Sequence, residues 1–244
     1  MLLLLIVTMF FQCGANAQPG EFRDADLKSL VEAELAFSHL AEERTTREAF
    51  LQFVSDSPVT FGKHARIGKK HLENQTDDQT LLSWKPVYTD IAASGDFGFN
   101  TGPWELRDKR GDTEPVAFGQ FVTVWQKTAE GWKALIDIGI AHEKLHSPDS
   151  LTFSNIDLKK IKAAVRSTMH KVIAEEQKFI TEYARKNAAA YAPVLSNEAR
   201  FYRNNFLPGK VGVVPATLKA SGYRYVDGER RHLPPDVSYP LARE

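Results

Sequence analysis

The hydrophobic pattern of the chain changes from helical to strand period near Leu81, and that change limits what it can fold into. Before it, Leu27, Leu30, Val31 and Leu35 recur at three- and four-residue spacing with Glu32, Glu34, Glu42 and Glu43 between them, which predicts an amphipathic helix from Asp24. A second short helix is predicted over residues 46–54, capped by Thr45 or Thr46 and ended by Ser55, Asp56, Ser57 and Pro58. A short strand over residues 59–61 and, after Gly68, a third short helix carrying Leu72 complete this part. Beyond Leu81, residues 84–92, 97–106, 116–127 and 132–141 are rich in aromatic and β-branched side chains. Ser94-Gly95-Asp96, residues 109–112 and Ala129-Glu130-Gly131 supply turns between them. Four strands joined by tight turns predict an antiparallel meander, and helices followed by a meander are an α+β order, not the alternation of a nucleotide-binding fold.

The first residues read as an address. Residues 2–11 are apolar except for Thr8, and Ala15-Asn16-Ala17 has the small-x-small pattern of a cleavage site, so residues 1–17 are expected to be a secretory signal peptide. The run is too short to cross ~30 Å of hydrocarbon as a helix, and no membrane association is expected after cleavage. A lipoprotein would use Cys13, but Phe10, Phe11 and Gln12 suit that cleavage poorly. The expected location is periplasmic or secreted. Cys13 is the one cysteine in 244 residues, so a chain cleaved after Ala17 has no disulfide, thiol nucleophile or thiolate metal site and rests on its apolar core.

After residues 24–147, expected to form one complete domain, Ser154, Asn155 and Asp157 start a long helical pattern running towards Asn187. A shift of 142 residues pairs Leu27 with Met169, Leu30 with Val172, Val31 with Ile173, Glu34 with Glu176, Phe37 with Phe179 and Val59 with Phe201. Residues 155–244 are therefore read as a long helix and an incomplete second copy of the first domain, the alternative being two unrelated amphipathic helices. Lys plus Arg equals Asp plus Glu at 31 each, which removes the basic excess that a nucleic-acid partner needs. Up to His146 there are 15 basic and 21 acidic residues, and from Ser147 there are 16 and 10. Opposite charge on the two halves favours docking between them, or a homodimer.

The stretches SWKPVYTDIAASGDFGFNTGPWELRD, residues 83–108, and GQFVTVWQKTAEGWKALIDIGIAH, residues 119–142, resemble the SnoaL-like, uncharacterised branch of the nuclear transport factor 2-like superfamily. The marks are Trp84-x-Pro86, Ser94-Gly95-Asp96 with Gly98 and Gly102, Val124-Trp125, and Gly131-Trp132-Lys133 ending in Asp137-x-Gly139. The resemblance implies a cone-shaped, curved antiparallel sheet packed on N-terminal helices, with a pocket at its open end. It implies no single chemistry, because the superfamily spans isomerases, dehydratases, cyclases and proteins without known activity. Laid on this chain, the isomerase pattern places Phe37 near the tyrosine donor position and Phe61 near the carboxylate base position, and neither can transfer a proton.

Strand alternation puts Trp84, Pro86, Tyr88 and Asp90 on one face, and Leu135, Asp137 and Gly139 on one face of the last strand. Trp84, Tyr88, Trp104, Trp125 and Asp137 are the candidates to hold a small apolar or aromatic ligand with one polar anchor, against the alternative that the aromatics are core. Asp137 in a partly apolar pocket would have a raised pKa and could serve as a base. A binding module is thus the first expectation and a lyase or isomerase the second. His142-Glu143-Lys144-Leu145-His146 fits the zinc peptidase signature, which requires a helix to bring both imidazoles to one face, but it follows a strand-like run and precedes Pro148. Gly95, Gly98 and Gly102 lack dinucleotide spacing, and no cofactor is expected.

Overall fold

The computed structural model describes residues 19–61, 65–76, 79–92, 94–144, 152–153, 169–191, 193–195, 199–210, 223–226 and 229–232. The leader-like segment and the start of the predicted long helix, residues 154–168, lie outside them. The chain divides into two compact units.

The first unit opens with helix α1 (Pro19–Glu43), whose buried stripe runs Leu30, Glu34, Phe37, Ser38 and Ala41 at helical spacing. Helix α2 (Thr46–Phe53) follows, with Thr45 as its N-cap, the hydroxyl accepting from the Glu48 N–H at 3.1 Å. The next elements are β1 (Val54–Phe61), β2 (Ala65–Ile67), α3 (Lys70–Glu73), β3 (Leu81–Trp84), β4 (Tyr88–Ile91), β5 (Phe97–Arg107), β6 (Ala117–Thr128), β7 (Gly131–Ala141) and β8 (Thr152–Phe153). Ser55 to Pro58, expected to terminate a helix, are already strand. The strands form one open, curled sheet in the order β2-β1-β7-β6-β5-β4-β8, with β3 also paired to β5, packed against the N-terminal helices.

β3 and β4 pair antiparallel with β5 as the meander predicts, but the sheet as a whole is mixed and not purely antiparallel. β1 runs parallel to β7 and β8 runs parallel to β4. Turn chemistry identifies only hairpin neighbours, which must be antiparallel; β1 and β8 join strands distant in sequence, and nothing local sets their direction.

Residues 84–92, expected as one strand, are two. Trp84 pairs with Trp104 and Tyr88 with Thr101, so three residues of one edge face two of the other. This is a bulge at Lys85–Val87. Gly102 is required there: a Cβ on it would lie 1.8 Å from the Lys85 carbonyl oxygen.

The second unit contains helix α4 (Met169–Lys186), a 3-10 turn (Asn187–Ala190) and two hairpins, β9 (Arg200–Arg203) with β10 (Phe206–Lys210) and β11 (Tyr223–Val226) with β12 (Glu229–His232). Phe179, Tyr183 and Tyr191 form its aromatic cluster, with ring centroids 4.8–6.0 Å apart.

Candidate functional site

Three elements of the sheet converge on Glu34, which is fully buried in the middle of the α1 stripe. Trp84 of β3 donates its indole N–H to Oε1 at 2.8 Å, and Trp125 of β6 donates to Oε2 at 2.8 Å. Asn100 of β5 adds an N–H to Oε2 at 3.2 Å and is itself oriented by the Leu30 carbonyl at 3.3 Å and by the Thr89 hydroxyl donating to its Oδ1. All three donors to the carboxyl are neutral. Hydrogen bonds favour the charged carboxylate, whereas removal from water penalises it, and among the described residues no cation offsets that penalty. Desolvation wins, and burial pushes the Glu34 carboxyl up to about 7 against those bonds, with the nearby charge of Asp137 acting in the same direction.

Asp137 of β7 lies on the same inner face of the sheet. It accepts the Thr123 hydroxyl at 3.0 Å and is half-buried, and desolvation pushes it up to about 6 although the Thr123 bond pulls it down. Trp132 and Ala134 already point inward into the core, so the two-residue alternation of β7 slips by one between Ala134 and Asp137. Gly139 then faces inward too, and a Cβ on it would lie 3.8 Å from Nε1 of Trp104. That indole N–H is buried without a hydrogen-bond partner among the described residues. On the other side, Thr60 of β1 is in register with Asp137 and shares a 2.9 Å hydrogen bond with Nε2 of His71 from α3.

The five residues singled out from the sequence separate accordingly. Trp84 and Trp125 are core side chains whose polar edges hold Glu34. Trp104 packs against that core and stands beside the Asp137 strand. Tyr88 is not with them: the extra residue of the bulge reverses the alternation, so Thr89 points inward to Asn100 while Tyr88 is buried on the opposite face, its ring 5.9 Å from that of Phe99.

Glu34 was missed by the sequence reading, which placed it among the charged residues between apolar ones. The signal was there: it stands four residues after Leu30 and three before Phe37, a carboxyl in the centre of an apolar stripe.

Phe37 is a core ring stacked edge-on against Trp84 and Trp125. Phe61 follows the inward Thr60 on β1 and is 39% exposed. The start of the zinc-like motif is coil: residues 142–144 leave β7 without helical structure, Nδ1 of His142 bonds the Glu143 carbonyl at 2.7 Å, and His146 lies outside the described residues.

No protein-family model and no curated protein matches the chain. Solved structures of the nuclear transport factor 2-like, or cystatin-like, fold are similar to it. An NTF2-like protein with a cystatin-like fold from Novosphingobium aromaticivorans is 15% identical, with 50% of this chain and 85% of that one covered at a TM-score of 0.40. An NTF-2 like protein of unknown function from Shewanella oneidensis is 20% identical, with 46% and 96% covered at 0.36. An NTF2-like superfamily protein from Salmonella enterica is 14% identical, with 52% and 98% covered at 0.39.

Proposed function

We propose that the chain binds a small organic molecule on the inner face of its sheet, between Asp137 and Trp104. The observation that carries this reading is the buried indole N–H of Trp104, which has no partner among the described residues, whereas the other three indoles are satisfied by Glu34 or Ser29. Buried polar hydrogens are nearly always paired, and one left over next to Gly139, two residues along β7 from the half-buried Asp137 carboxyl, offers a ligand a donor with an acceptor on the same face. The leader-like residues 1–17 support export, to the periplasm or outside the cell. The second unit is read as a partial copy of the first: at the 142-residue offset, Met169–Lys186 falls on α1 and Arg200–Arg203 on β1.

The test is a titration of 15N-labelled protein with 2-naphthol, 2-naphthoate and 1-naphthylmethylamine, following the Trp104 indole resonance assigned through Trp104→Phe. At least one compound is expected to shift that resonance saturably, with smaller shifts for Trp84 and Trp125. If none of the three moves it at millimolar concentration, the reading is wrong.

A lyase or isomerase is the second reading, favoured by the Asp137 carboxyl at about 6, where an acid can exchange a proton near neutral pH. Its mark would be turnover of a bound ligand that Asp137→Asn abolishes while binding persists.

A further inference from the structure

We propose that the molecule bound between Asp137 and Trp104 is a neutral lactam or primary carboxamide, its carbonyl oxygen seated over Gly139 against the Trp104 N–H and its own N–H turned to Asp137. The inference rests on the binding reading above and names its ligand class.

The two protein groups ask for one acceptor and one donor. The Trp104 indole N–H is buried and has no acceptor among the described residues. Asp137 uses Oδ2 for the Thr123 hydroxyl at 3.0 Å, and its Oδ1 makes no hydrogen bond among the described residues. With that carboxyl pushed up to about 6 by burial, most of it is ionised above neutral pH, where an oxygen such as Oδ1 can only accept.

Gly139 supplies the room. It stands two residues after Asp137 on β7, and a Cβ built on it would meet, apart from its chain neighbours and among the described residues, one heavy atom within 4 Å: Nε1 of Trp104, at 3.8 Å. The place where any other residue would begin its side chain is therefore open beside the indole nitrogen. Two residues of a strand span about 6.6 Å. Two hydrogen bonds of about 2.9 Å, made by neighbouring atoms of one small group, cover that distance.

The same pair of groups selects against charge. An ammonium has donors for Asp137 but no acceptor for the indole. A carboxylate has the acceptor but no donor, and it sets a second negative charge beside Asp137. An amide whose C=O and N–H lie on one side supplies one of each and leaves neither protein group unpaired.

The experiment is titration calorimetry of the full chain at about pH 7.5, where Asp137 is mostly ionised. It compares 2-quinolinone, a lactam of naphthalene size, with its N-methyl derivative and with the three naphthalenes. 2-Quinolinone is expected to bind at least about tenfold more tightly than the N-methyl derivative, which keeps the carbonyl and loses the donor, and than any of the naphthalenes. Gly139→Ala, which places a methyl group beside the indole nitrogen, is expected to weaken 2-quinolinone at least about tenfold at an unchanged urea midpoint. Equal or tighter binding of the N-methyl derivative or of a naphthalene by the wild-type protein overturns the lactam and leaves the binding reading standing, as does an unchanged affinity for 2-quinolinone in the folded Gly139→Ala variant. Failure of all five compounds to bind overturns both. The wild-type comparison decides the matter even if the variant does not fold.

Discussion

Gly102 and Glu34 show how much a single position can carry in this chain. The bulge beside Gly102 brings the Lys85 carbonyl to where any side chain would begin, so Gly102→Ala must move backbone and not merely a flexible side chain. The expected loss is about 2–3 kcal/mol of stability, measured as a lower urea midpoint with the transition slope retained. A midpoint within error of wild type would mean that the bulge relaxes freely. Glu34 was legible as a residue on the buried stripe, but its partners were not. Trp84, Asn100 and Trp125 lie 50 to 91 residues away, and only the curled sheet brings their N–H groups to one carboxyl.

The elements were legible in proportion to how local their causes are. Helix α2 begins where a capping hydroxyl is followed three residues later by a glutamate, a cause contained in four residues. Thr45→Ala is expected to lower stability by about 1 kcal/mol, while Thr45→Ser keeps most of it, as thermal unfolding of the two variants would show. Pro86 and Gly102 mark the break between β3 and β4 but not how many residues it inserts, and nothing local marks the slip within β7. Each inserts one residue and moves every later side chain to the other face. That is why the sequence set Tyr88 beside Trp84 and the structure separates them. In α4, Val172 and Ile173, the counterparts of the buried Leu30 and Val31 at the 142-residue offset, are 53% and 44% exposed. A helix of the same pattern is thus covered in one unit and open in the other.

For the whole molecule, the two inner carboxyls make stability depend on pH in a defined direction. Glu34 is raised from 4.5 to about 7 and Asp137 from 3.8 to about 6, so between those values the folded chain holds protons that the unfolded chain gives up. Their contribution is complete below the unfolded values and is lost as pH rises through the folded ones. The urea midpoint is therefore expected to fall between about pH 5 and about pH 8, and Glu34→Gln and Asp137→Asn should each flatten that fall. A midpoint that rises over this range, and rises equally in both variants, would contradict the burial argument. What the sequence determined by itself was the α+β order, the helix with its apolar stripe and the aromatic strands, because periodicity, caps and turns are short-range effects. Tertiary structure alone decided the parallel pairings, the side-chain parity beyond each bulge, and the meeting of Glu34, Asp137 and Trp104 on one face. Those depend on contacts between segments far apart in the chain, and on removing carboxyls from water, which no local pattern encodes.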